Sequence, residues 1–322
     1  MRGFNKLKSK LAFAPLLSLN MILFGFFGCD KAKKTPDRIK LDNDASTVIE
    51  IVTNNMDFVV QDTISSGWHT FRYMNNSNET HFFLLDKYPE GFTIADTEKE
   101  IGPVFQKGMD LINEGKAEEG FAVFQSLPEW FFKVVFVGGS GLVSPRTSSL
   151  TSIKLEPGYY IIECYVKMPN GNFHSSMGMA KSLIVTDEIS EEIQPKATAK
   201  IELSSKDGIQ FMDTIARGKQ IFSVTFIDQI THENFVGHDI NLVKVGEDAD
   251  LEELELWLNW AHPKGLITPA PKGFTFLGGV NDMPGGSIGY FEVDLMPGNY
   301  LLISEVPMAL KKNLFKSFVI TN

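Results

Sequence analysis

Short runs in which apolar and polar residues alternate recur along the chain, and a period of two is the pattern of a half-buried β-strand. Val48-Ile49-Glu50-Ile51-Val52 and Trp68-His69-Thr70-Phe71-Arg72-Tyr73 read as strands. Lys200-Ile201-Glu202-Leu203 and Gln220 to Phe226 repeat the pattern later. Tyr160, Ile162, Cys164 and Val166 place one apolar face on a further strand, as Tyr300, Leu302, Ser304 and Val306 do in the later region. Cys164 is therefore expected to face a core.

A helical period interrupts each set of strands. Asp96 and Asp250, each preceded by Ala, are expected N-caps, because a carboxylate there accepts the free N–H groups of a first turn. Leu251, Leu254 and Leu258 then share one helical face. The earlier insertion is longer, from about Asp96 to Ser126, and Gly108, Gly115 and Gly120 are expected to break it into pieces.

The resemblance between the two regions extends to the residues themselves. Asp62-Thr63-Ile64 with Gly67 returns as Asp213-Thr214-Ile215 with Gly218, and His81-Phe82-Phe83-Leu84 as His238-Asp239-Ile240-Asn241. Gly138-Gly139 returns as Gly278-Gly279, and Leu155-Glu156-Pro157-Gly158 as Leu295-Met296-Pro297-Gly298. The order is kept throughout, which reads as one fold written twice. Many short strands, Gly/Pro turns and one helical excursion per copy argue for an all-β chain of two antiparallel sandwiches.

Composition adds boundaries. A chain of 322 residues is comfortable for two domains, and a formal charge of −10 argues against a nucleic-acid partner. Arg2, Lys6, Lys8 and Lys10 precede an apolar stretch from Leu11 to Gly28 that ends at Cys29. This is similar to a bacterial lipoprotein signal, in which the Cys after a small residue is lipidated; an uncleaved membrane anchor is the alternative. Either exports the body of the protein to the cell envelope and ties it to a membrane. The expected organisation is a signal peptide at 1–28, a polar tether at 29–45, one domain at 46–188, an acidic linker at 189–198 and a second domain at 199–322. With Cys29 given to lipid, Cys164 has no cysteine partner, so it is expected to be buried or bound to something.

The first copy alone carries Cys164, His174, Met177 and Met179; the second has Ser304 and a shorter segment without His. His81 opening a strand, Gly138-Gly139, the run Leu155 to Cys164 and the segment Asn170-Gly171-Asn172-Phe173-His174-Ser175-Ser176-Met177-Gly178-Met179 resemble the cupredoxin superfamily. That resemblance implies a Greek-key sandwich in each copy. It also implies copper held by His81, Cys164, His174 and Met179 or Met177, for electron transfer or copper handling with a redox or envelope protein as partner. Soft thiolate and thioether with two imidazoles suit both copper oxidation states.

One departure is visible. Nine residues separate Cys164 from His174, where blue-copper loops have few. A regular hairpin through Asn170-Gly171 would oppose Lys167 to His174 and Cys164 to Met177, turning His174 to the face opposite Cys164. A site using both needs a bulge or an irregular loop; a set of His81, His174 and Met179 with Cys164 left in the core does not. His69, His232 and His262 have no convincing partners and read as surface or edge residues. No catalytic fingerprint appears, and Glu118-Glu119 and Glu252-Glu253 read as solvated helix faces, so the expectation is a chain that is not an enzyme. The alternative to copper is a non-catalytic envelope scaffold or binding module with no metal.

Overall fold

Alternation becomes strand in both regions of the chain. The structure is a computed structural model describing residues 48–211 and 214–322. The signal segment, Cys29 and the tether lie outside the described residues. The first half runs β1 (Ile49–Thr53), β2 (Thr63–Asn75), β3 (Leu84–Lys87), a helical insertion, β4 (Val135–Gly139), β5 (Thr147–Leu155), β6 (Gly158–Glu163) and β7 (Ala180–Ile189). The second runs β8 (Ala199–Ser204), β9 (Gly208–Gln210), β10 (Gly218–Phe226), β11 (Ile240–Val245), a helix, β12 (Phe274–Val280), β13 (Ile288–Leu295), β14 (Gly298–Ile303) and β15 (Phe315–Ile320).

The fold is all-β, with the same order of layers in each half. β4-β3-β6-β7 forms one sheet of the first half and β12-β11-β14-β15 its counterpart in the second. The opposing sheet is built from β1, β2 and β5 in one half and from β8, β9, β10 and β13 in the other. β2 serves both sheets of its half. Thr63 and Ile64 pair with β7, the register shifts before Ser66, and Gly67 to Asn75 then pair with β5. Each half is a two-sheet β-sandwich with a helical insertion. Phe71, Tyr73 and Phe83, all fully buried, meet at ring separations of 5.6 Å in the first core.

The halves join edge to edge. β5 and β13 pair antiparallel through Leu150–Glu292, Thr151–Phe291 and Ser152–Tyr290. Leu155 and Leu295 hold matching places in the sequence pattern, and Thr151 and Phe291 each lie four residues earlier. They face one another across the pairing. The described residues consequently form one compact unit with a sheet running through it.

The helical insertion departs from expectation at two points. Asp250 caps α4 (Leu251–Leu258) by accepting from the amides of Glu252 and Glu253 at 2.9 and 3.2 Å. Asp96 instead ends a short turn, α1 (Ile94–Asp96), whose N-cap is Thr93. Its carboxylate reaches back to the Thr93 amide and hydroxyl at 2.8 and 3.0 Å, the acidic half of a capping box. Of the three glycines, only Gly115 divides helices, between α2 (Gly102–Asn113) and α3 (Ala117–Val123). Gly108 and Gly120 lie inside them because the helices touch there. A Cβ on Gly120 would stand 2.6 Å from the Gly108 carbonyl oxygen. Among the described residues no helix is long and apolar enough to cross a membrane.

Candidate metal centre

Three segments converge at one end of the first sandwich. His81 lies just before β3, held by mutual backbone hydrogen bonds with Val143 at 3.2 and 2.7 Å. Cys164 follows the last residue of β6, and His174 comes after the hairpin beyond it. That hairpin is not a regular one. Lys167 bridges Phe173, the Met168 amide donates to the Asn172 carbonyl, and the His174 amide donates to Val166 rather than facing Lys167.

A 3₁₀ turn at Ser175–Met177 follows, closed by Gly178 at φ 99°. The His174 carbonyl accepts from both Met177 and Met179 at 3.0 and 2.9 Å, while the Ser175 amide donates to the Cys164 carbonyl. This irregular turn is the loop the spacing required, and it brings His174 to the side of Cys164. Only a residue tolerant of φ > 0 reverses the chain cheaply there, which explains Gly178.

Distances inside the cluster are those of ligands around one ion. His81 Nδ1 lies 3.2 Å from His174 Nδ1 and 3.7 Å from Cys164 Sγ. With nitrogens at about 2.0 Å and sulfur at about 2.3 Å from a tetrahedral ion, two nitrogens would be about 3.3 Å apart and a nitrogen and the sulfur about 3.5 Å. All three side chains are fully buried, and they are the one group of three such donors among the described residues. Two buried ring nitrogens, His81 Nε2 and His174 Nε2, have no hydrogen-bond partner. His174 Nε2 does lie 3.4 Å from the Glu79 carboxylate, which is placed to orient the ring when Nδ1 serves as donor.

Burial sets the charge states. It lowers the His81 imidazole to about 3, with His174 adding to the effect, and lowers His174 to about 4. Both rings are therefore neutral, with lone pairs free for a cation. Burial pushes the Cys164 thiol up to about 12, against the opposing pull of the Phe82 and Val166 amides. Those two N–H groups would stabilise the thiolate once a cation displaced its proton. Two neutral imidazoles and a deprotonatable thiol fit copper.

Of the two methionines, Met179 is fully buried beside the turn, whereas Met177 is 55% exposed. The second half has a different arrangement. Ser304 stands in the place of Cys164 and donates to Asp239 at 2.6 Å. His238 Nε2 sits 2.8 Å from His232 Nε2, so His232 is not the partnerless residue the sequence suggests. His69 is not at the surface either. It is buried, with Nε2 2.8 Å from the Ser65 carbonyl oxygen.

Sequence reading also missed four carboxylates, Asp86, Glu163, Asp239 and Asp282, which gather beside the centre in one cavity. Their signal was available. Asp86 interrupts the apolar run after Phe82, and Glu163 interrupts Tyr159-Tyr160-Ile161-Ile162.

No family model matches this chain, and no curated protein does. Solved structures do. Reduced auracyanin from Roseiflexus castenholzii is 19% identical, covers 44% of this chain and 98% of its own, and has a TM-score of 0.27. Auracyanin A, a "blue" copper protein from Chloroflexus aurantiacus, is 20% identical over 43% of this chain and 98% of its own, with a TM-score of 0.27. A Cu-containing nitrite reductase from Thermus scotoductus is 11% identical over 85% of this chain and 61% of its own, with a TM-score of 0.23. At identities and TM-scores this low, nothing these proteins do is carried over to this chain. The expectation that the chain is not an enzyme is nevertheless not upheld. A nitrite reductase is among the structures similar to it over 85% of its length, so missing catalytic fingerprints do not exclude catalysis.

Proposed function

We propose that His81, Cys164 and His174 bind copper, with Met179 as a fourth, weaker donor, and that the chain serves electron transfer or copper handling. The observation that carries this reading is the meeting of two Nδ1 atoms and one Sγ within 4.8 Å in a fully buried pocket. A bound copper supplies one-electron chemistry. The protein's part is to hold the donors. The imidazoles arrive neutral, Cys164 gives up its proton on binding, and the Phe82 and Val166 amides steady the sulfur. The buried position excludes water and fixes the geometry through either oxidation state.

The two halves derive from one duplicated unit, the second of which lost its donors at Ser304. The body is exported and held to a membrane by lipid on Cys29, with residues 29–45 as tether, and exchanges electrons or copper with another envelope protein. A Cys29→Ala variant is expected to leave the membrane fraction; retention there would contradict lipid anchoring. The copper reading is tested by titrating the full chain with Cu(I) and Cu(II) while following its melting temperature. One equivalent is expected to raise it, by the amount that binding only the folded state gives, and His174→Ala to abolish the rise. An equal rise in His174→Ala contradicts the assignment.

A further inference from the structure

A cavity of about 530 Å³ lies beside the metal centre, walled by both halves of the chain. Its charged lining is of one sign. Asp86, Glu98, Glu163, Asp239 and Asp282 border it, and no Lys, Arg or His does. Most of these are not surface acids. Asp86 and Asp239 are each only 4% exposed. Glu163 and Asp282 keep some accessible surface on the cavity itself. Burial raises Asp86 and Asp282 well above the usual carboxylate range, and neighbouring carboxylates add to it.

Asp239 has its needs met by Ser304, Asn241 and the Glu305 amide, and Asp282 accepts from Gln229 at 2.7 Å. Asp86 is met only in part: it shares a hydrogen bond with Glu163, while its Oδ1 is buried and has no partner. A buried carboxylate oxygen without a donor is costly, and a positively charged ligand would remove that cost.

The other wall is aromatic. Phe105 and Phe173 from the first half meet Trp260 from the second at 6.1 and 5.6 Å, and Phe131 meets Phe235 at 6.4 Å. Clustered ring faces beside carboxylates are the chemistry that recognises an organic cation with an apolar body. A bare divalent metal fits less well, because among the described residues no three of these acids bring ligand atoms within 4.8 Å of one another.

We propose that this cavity binds an organic ammonium ion, its charged head among Asp86, Glu163 and Asp282 and its apolar body against Phe105, Phe235 and Trp260. This holds whether or not the neighbouring centre carries copper. The volume suits a small amine with one aromatic ring rather than a peptide.

Calorimetric titration of the full chain with phenethylammonium, with neutral 2-phenylethanol as the matched control, tests it. Phenethylammonium is expected to bind and 2-phenylethanol to bind at least about tenfold more weakly, the scale of one lost charged hydrogen bond. Asp86→Asn, which keeps the shape but cannot give up a proton to face the ammonium ion, is expected to weaken phenethylammonium about tenfold, and Trp260→Leu to weaken it too. Asp282→Asn provides the same reading of charge should Asp86→Asn fail to fold. Equal binding of the amine and the alcohol overturns the proposal, as does unchanged affinity in the folded Asp→Asn variants. Heat with Ca²⁺ or Mg²⁺ and none with phenethylammonium also overturns it, and so does no binding of any cation.

Discussion

At the scale of single residues, the same burial does different work on different side chains. It keeps His81 and His174 neutral, which helps a metal, and keeps Cys164 protonated, which a metal must overcome. That His81, Cys164 and His174 meet could be anticipated, because residue type and order along the chain carry the resemblance. The choice between Met177 and Met179 was not, since it depends on which way a short turn points. With Met179 buried and Met177 half in solvent, Met179→Leu is expected to shift the reduction potential of the copper-loaded protein, and Met177→Leu to leave it unchanged. Cyclic voltammetry distinguishes the two, and an equal shift from both contradicts the assignment of Met179.

Asp282 gives a pH prediction at the same scale. Its carboxyl is raised by burial first and then by the charge of Asp239, while Gln229 and the Gly237 amide pull the other way. Asp86 and Tyr165 also feel its charge. The folded state therefore keeps a proton that the unfolded state releases as pH climbs past about 4. The stability this group contributes is present below that value and is lost as pH rises toward the folded one. A carboxamide in its place cannot ionise. Asp282→Asn, without added cation, is thus expected to gain melting temperature over the parent at pH 7 relative to pH 4; a difference independent of pH contradicts the buried-carboxyl account.

At the scale of elements, strands were easier to read than the ways chain segments approach one another. Alternation placed β2, β6, β10 and β14 because a sheet face demands it locally. The hairpin after Cys164 stayed open between a regular and an irregular form, since Asn170-Gly171 fixes a reversal but not the extra turn at Ser175–Met177 that sets where His174 points. Gly108 and Gly120 were misread for a related reason. A glycine looks the same in sequence whether it ends a helix or admits a neighbour. Adding one methyl at Gly120 is expected to cost about 1–3 kcal/mol, as overpacking does, because backbone stands in its way. Chemical denaturation measures this, and a neutral Gly120→Ala would contradict close contact of α2 and α3.

At the scale of the whole molecule, the duplicated pattern announced two sandwiches but not their union. The β5–β13 pairing rests on three residue pairs far apart along the chain, and no local period encodes it. The acidic cavity escaped notice for the same reason, its walls being contributed by both halves. A shared sheet and a shared cavity wall couple the halves energetically. Calorimetric melting of the full chain is expected to show one cooperative transition, with van't Hoff and calorimetric enthalpies equal, and two resolved transitions would contradict the coupling.

The account turns on sulfur and two imidazole nitrogens reaching a single copper ion. X-ray absorption at the copper edge of the loaded full chain reads those donors directly. One sulfur at about 2.3 Å and two nitrogens at about 2.0 Å are expected, with the short sulfur lost in Cys164→Ser. A first shell of nitrogen and oxygen alone, unchanged by that substitution, would contradict it.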